Sequence, residues 1–202
     1  MESLIALVQK IGYPGLFAII FFESFPLTLF LPGDSLLFTT GFLASQGILR
    51  IDILILVIFI AAVLGYLFSY SLGHYIVKKF FTKDSKYFKQ KYIDYTQEFF
   101  DKYGAKTIII GRFVPIVRSF APTLAGIAKM KYEKFVRYTF IGGVFWAGGM
   151  TLVGFYLGKA IPNATSYLTP IIVGIVFISV LPSAIEYIVK TRKAKIENTP
   201  EL

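Results

Sequence analysis

Residues 107–128 read TIIIGRFVPIVRSFAPTLAGIA, an apolar stretch that also holds Arg112, Arg118, Pro115 and Pro122. About 20 mostly apolar residues suffice to cross a bilayer. Yet each arginine at that depth costs about 2.5–3.5 kcal/mol on insertion scales, so such side chains face a wet or protein-lined interior. Irregular backbone is likewise tolerated there only away from lipid. The stretch therefore reads as a re-entrant hairpin, going in and returning on the same side. Residues 16–44 have the same character: an apolar run interrupted by Glu23, Pro26, Pro32, Gly33 and Asp34.

The composition agrees with a membrane chain. Of 202 residues, 55% are hydrophobic and 16% charged, against roughly 25% charged in a soluble domain. The mean hydropathy is +0.66, too high for a water-soluble surface. A soluble globule, a disordered chain and a soluble nucleic-acid binder are excluded, so no nucleic-acid partner is expected. The net charge of +9 fits cytoplasmic loops and contact with anionic lipid. With no cysteine and one histidine, neither disulfides nor thiolate or imidazole metal clusters are available, and no metal or cofactor is expected. No cleaved leader is expected either.

Three cleaner spans accompany the two broken regions: 53–77, 138–157 and 169–189, the last with Pro182 and Glu186. The connector 78–106 is strongly basic and includes an amphipathic run, 87–100, that reads as a surface helix. The connector 129–137 and the stretch 190–195 are basic again. The positive-inside rule puts all three in the cytoplasm, which requires 107–128 to be re-entrant and the C-terminus to be cytoplasmic. Span 138–157 then runs outward, 158–168 is external, and 169–189 returns. Worked backwards, 53–77 starts outside and the first hairpin opens outward, opposite to the second. Residues 1–14 read as a short interfacial amphipathic helix. The expected architecture is an all-α integral membrane domain over 1–190, with a basic tail at 190–202.

The two broken regions also resemble each other. Tyr13-Pro14-Gly15 leads to Glu23 and Pro26, and Tyr103-Gly104-Ala105 leads to Arg112 and Pro115. Each continues to a second proline, Pro32 or Pro122, and a small-residue helix carrying Gly41 or Gly126, and each is followed by a clean span. With opposite entry sides, halves 13–77 and 103–158 form an inverted repeat, and broken helices in such repeats point to a transporter site near the midplane. The expected hairpin breaks are Pro26, Pro32, Gly33, Gly111, Pro115, Pro122 and Gly126.

The breaks matter for chemistry. On an unbroken helix Arg112 and Arg118 would lie about 240° apart, and Glu23 and Asp34 about 16 Å apart. Breaks let all four converge. Two guanidinium forks in a low-dielectric cavity suit a phosphate. Two carboxylates can neutralise them or carry protons. A purely structural buried Arg–carboxylate cluster remains the alternative for these residues. His74 reads as an interfacial residue, Trp146 as a lipid-facing or packing residue, and the pairs Gly142-Gly143 and Gly148-Gly149 as sites of close helix packing. No nucleophile–base pair stands out, so the protein is not expected to be an enzyme.

The strings Phe22-Glu23-Ser24, Pro32-Gly33-Asp34, Gly111-Arg112-Phe113-x-Pro115-x-x-Arg118, Ala125-Gly126 with Met130, Gly142 to Trp146, and Gly154-x-Tyr156-x-Gly158 together resemble the DedA family of bacterial inner-membrane proteins, within the SNARE-associated (VTT-domain) superfamily. The likeness covers roughly residues 12–160. It implies two opposed re-entrant hairpins, and functional acidic and basic positions at Glu23, Asp34, Arg112 and Arg118. It further implies proton-motive-force-dependent lipid transport, with undecaprenyl phosphate or phospholipids as substrates. One position departs: Tyr66 stands where many relatives have Asp. The leading expectation is a flippase or scramblase for a phosphate-bearing lipid. A proton-coupled antiporter for small cations or drugs, and a non-transporting membrane scaffold, remain open, as does homo-oligomerisation.

Overall fold

The computed structural model describes residues 2–25, 33–80 and 90–160. Among these the chain is helical and contains no strand. The helices are α1 (Glu2–Glu23), α2 (Gly33–Ser45), α3 (Ile51–Phe80), α4 (Gln90–Tyr103), α5 (Lys106–Ile110), α6 (Pro115–Ile127), α7 (Tyr132–Gly143) and α8 (Gly149–Ala160). Pro26, Pro32, the third expected span at 169–189 and the tail lie outside the described residues.

Among the described residues two helices are long and apolar enough to cross a membrane: Ile51–Tyr75 in α3 and Tyr132–Ala160, which joins α7 to α8. The helices that hold them, α3 and the one running through α7 and α8, continue at both ends past the spans expected from the sequence, at 53–77 and 138–157, because their polar ends prolong the helix beyond the apolar stretch. Along α3, Leu56, Ile60, Leu64, Phe68 and Leu72 are exposed. Their four-residue spacing makes one continuous apolar stripe. The opposite face buries Leu54, Ile58, Ala61, Ala62, Tyr66, Ser69 and Tyr70. A helix with an apolar stripe outside and a packed face inside is built to sit between lipid and protein.

Glycines fix how the other helices meet these two. A Cβ at Gly41 would strike the Thr151 carbonyl, and one at Gly154 the Phe38 carbonyl. Further on, Gly158 lies against Ser45, and Gln46 Nε2 donates to the Gly158 carbonyl at 3.3 Å. The first two contacts are reciprocal, and the next, Ser45 with Gly158, lies four residues on from Gly41 and from Gly154, so α2 and α8 run in the same direction. The same arrangement recurs between α3 and α6. A Cβ at Gly73 would strike the Thr123 carbonyl, one at Gly126 the Tyr70 carbonyl, and Ser69 Oγ lies 2.8 Å from Thr123 Oγ1. In both crossings backbone touches backbone, the close approach small residues allow in membranes. Gly41→Ala and Gly126→Ala are each expected to lower stability by about 1–3 kcal/mol through overpacking, read by thermal unfolding in detergent. Gly142 and Gly143 also pack closely, against Arg112 and Phe59, whereas Gly148 and Gly149 meet no described residue within 4 Å.

The breaks differ in part from expectation. α1 bends at Gly12, whose φ of 54° lies in the left-handed region open to glycine. With ψ at −161° Gly12 is not helical, so the helical stretch before it is set apart from the apolar run, in line with the short helix expected over 1–14 but ending at Gly12. α5 passes into a tight 3-10 turn, Gly111–Phe113, and Val114 is extended at φ −114° and ψ 111° before Pro115 opens α6. Proline suits that first helical position, where its missing N–H leaves nothing unsatisfied. Pro122 is no break, since α6 runs through it, and Gly126 is likewise inside α6, where it makes the crossing with α3. The long second span holds one widened π-helical segment, Val144–Gly148.

Two apolar clusters flank the middle of the molecule. One gathers Leu16, Ile20, Leu37, Leu54, Ile58 and Trp146, the other Tyr66, Tyr70, Ile108, Ala121, Ala125 and Phe135. α3 contributes its first half to one and its second half to the other. The charged residues lie at their junction.

Candidate functional site

Each of the four charged side chains comes from a place where a helix starts, stops or breaks. Glu23 ends α1. There α1 presses on α3 so closely that a Cβ at Gly65 would meet Ser24 and the Phe21 carbonyl. At the other end of this contact, the Arg50 N–H donates to Tyr13 Oη at 2.8 Å, so α1 follows α3 in the same direction. Gly65 and Tyr66 stand about 22 Å along α3 from its start. Asp34 lies in the first turn of α2. Gly33, just before it, donates its N–H to Glu23 Oε1 at 3.1 Å, and a Cβ at Gly33 would land on that carboxylate. Arg112 sits in the 3-10 turn. Arg118 follows the extended Val114, its N–H bonded to the Val114 carbonyl at 2.8 Å.

These placements bring three of the four charges into one cluster. Arg118 extends one arm to Glu23 Oε1 and the other to Asp34 Oδ1, the latter at 2.7 Å. Glu23 is 3% exposed and Arg118 5%. Trp146 Nε1 donates to the same Asp34 oxygen at 2.8 Å, and its ring lies 5.1 Å from the Arg118 guanidinium carbon. Trp146 was expected to be a lipid-facing or packing residue; it is buried and bonded to the acid. The π-helical segment around it is the local cause. A widened turn is a common feature of functional sites in helices, and here it carries the indole to the cluster.

Arg112 stands apart from the acids. It is 1% exposed and lies flat on Tyr66, its guanidinium carbon 3.7 Å from the ring centre. Its one hydrogen bond among the described residues goes from Nη2 to the Thr139 carbonyl, at 3.4 Å. No carboxylate pairs with it among those residues. Gly142 makes room for it, since a Cβ there would approach Arg112 Cδ to 3.1 Å. Four of the seven unpartnered buried polar side-chain atoms among the described residues gather here: Glu23 Oε2, Arg112 Nε, Arg118 Nε and Tyr66 Oη. Groups of this kind are costly to bury and rare in native proteins, and their concentration marks the place where a polar ligand would gain most. Among the described residues no group of three or more His, Cys, Asp or Glu could hold a metal ion.

Sequence reasoning found the four charges but missed the two aromatic residues that hold them. Tyr66 stood out only as a departure from a family pattern. Trp146 belonged to a recognised string but was read as a lipid-facing or packing residue. Trp146→Phe, which keeps a ring beside Arg118 and removes the donor to Asp34, is expected to cost about 1.5–3 kcal/mol, as for a hydrogen bond to a charged group. Thermal unfolding against Trp146→Leu would separate the bond from the ring.

Residues 31–156 match the family model of the VTT domain. This chain belongs to the DedA family. Protein DedA of Escherichia coli is 42% identical over 186 residues, covering 90% of this chain and 84% of that protein. An uncharacterized membrane protein of Mycobacterium leprae is 40% identical, over 91% of this chain and 85% of its own length. Inner membrane protein YqjA of Escherichia coli is 33% identical, over 71% of this chain and 66% of that protein. No solved structure matches significantly. As a DedA-family membrane protein, the chain has Asp34, Arg112, Arg118 and Trp146 inside the matched domain, and Glu23 just ahead of it.

Proposed function

We propose that the protein moves a phosphate-bearing lipid across the membrane, with undecaprenyl phosphate or a phospholipid as cargo and the proton motive force as its drive. The observation that carries this reading is Arg112, a buried guanidinium lying on Tyr66 with an unpartnered Nε and no ion pair to an acid among the described residues. A phosphate offers the paired acceptors a guanidinium fork takes best. Arg118 is the second phosphate ligand. It is held by Glu23 and Asp34, so a headgroup engages it by displacing an acid. Protonating that acid lowers the cost of release, which gives Glu23 and Asp34 their part in proton coupling and in resetting the site. The protein acts as a transporter and not as an enzyme.

The helix directions support two opposed re-entrant hairpins. α1 follows α3 to about its middle, and α2 returns along α8. α5 and α6 make the same excursion from the other end. The paired glycine crossings, Gly41 with Gly154 and Gly126 with Gly73, support an inverted repeat. The basic turn with Lys129, Lys131 and Lys134 would face the cytoplasm, as would the C-terminus. Purified protein in liposomes, with labelled undecaprenyl phosphate or phosphatidylglycerol and an imposed pH gradient, tests the proposal. Translocation that quickens with the gradient and fails in Arg112→Ala is expected. Proton flux triggered by small cations, without lipid movement, would replace it with the antiporter reading.

A further inference from the structure

In the second half of α3, past Tyr66, the turn between α6 and α7 borders a polar cavity that none of the four buried charges lines. Its volume is about 460 Å³, within the roughly 300–1,000 Å³ range of small-molecule sites. Buried Phe100 and Ala128 form an apolar floor, and Lys129, Lys131, Lys134 and Asp101 line its edge. None of the three lysines forms an ion pair among the described residues, Asp101 included. Three cations to one anion leave a net positive cavity.

The turn that presents these lysines is firmly held. Tyr70 Oη donates to the Met130 carbonyl at 2.5 Å, tying the turn to α3. The Lys129 N–H reaches the Gly126 carbonyl at 3.1 Å and the Met130 N–H the Ala125 carbonyl at 3.0 Å, which closes the end of α6. Lys129 takes this position at φ 53°, where glycine is the usual residue and a side chain is strained. Strain kept at a cavity mouth points to work for the side chain. Beside the cavity, Phe99, Tyr103 and Tyr132 are exposed, an aromatic fringe of the kind found at headgroup level.

We infer that this cavity binds the phosphate headgroup of an anionic membrane lipid at the membrane surface, as a site separate from Arg112 and Arg118. The lysines hold the phosphate, the apolar floor takes the adjoining glycerol or acyl carbons, and the aromatic fringe lies among the lipids. The cavity needs only the membrane setting and does not depend on transport.

Native mass spectrometry of the purified protein, titrated with phosphatidylglycerol or phosphatidylcholine, tests it. Phosphatidylglycerol is expected to bind the more tightly. Lys129→Gly suits the backbone and so folds at least as well, and it is expected to weaken that binding about fivefold, the worth of one lysine near an anionic surface. Replacing Lys129, Lys131 and Lys134 together with Gln is expected to bring the affinity to the phosphatidylcholine level. Arg112→Ala is expected to retain the lysine-dependent lipid, which separates this site from the central one. Unchanged phosphatidylglycerol affinity in both lysine variants would overturn the inference. So would displacement of the lipid by millimolar inorganic phosphate, since the site would then take a soluble anion.

Discussion

Arg118→Ala is expected to cost about 3–5 kcal/mol of stability, the usual penalty for removing one partner of a buried ion pair. The reason is geometric. One guanidinium serves both Glu23 and Asp34, so its loss leaves the buried Glu23 and the partly buried Asp34 with no ion-pair partner among the described residues. Adding Glu23→Gln and Asp34→Asn to Arg118→Ala removes both stranded charges and is expected to recover most of the loss. Thermal unfolding of the single and triple variants in detergent measures this. A single variant as stable as the wild type would mean that the cluster does not hold the broken helices together.

Arg112→Ala is expected to behave in the opposite way. No acid pairs with Arg112 among the described residues, so its removal strands no charge and relieves the burial of an uncompensated guanidinium. The protein is expected to fold with near-normal stability and to lose lipid movement. Truncating one partner of a buried charged contact costs about 2–5 kcal/mol of binding, which is about 30-fold or more in headgroup affinity. Arg112→Lys retains the charge but not the planar fork that lies on Tyr66, and is expected to recover only part of it. Liposome translocation beside an unfolding curve distinguishes the two arginines. Equal losses of stability in both variants would contradict the division of labour between them.

Much of this arrangement was legible because charges in an apolar run must be explained. Arg118 with Glu23 and Asp34, and the break ahead of Pro115, follow from the cost of burying an arginine and from proline's preference for a helix start. The separation of Arg112 from the acids was not legible. Spacing says which residues a break can bring together, but not which of two arginines wins both carboxylates. Tyr66 and Trp146 were hidden for another reason. An aromatic residue in an apolar run has the same hydropathy whether it faces lipid or stacks on a guanidinium. The π-helical segment that carries Trp146 leaves no mark in periodicity, since it shifts the phase of one turn only. Pro122 misled in the other direction, because within a membrane helix a proline need not end the helix.

The glycine crossings have a consequence for how such a molecule can move. α2 is seated on α8 and α6 on α3, so each short helix is fastened to a long helix supplied by the opposite half of the chain. At their closest points those seams are carbonyl against bare α-carbon, with small hydroxyl contacts such as Ser69 with Thr123 beside them. The two sequence halves are therefore laced through one another and cannot separate as rigid jaws. Any rocking must carry a short helix and its foreign long partner together, with the Arg118–Asp34 ion pair spanning the line along which the two mixed bodies would part.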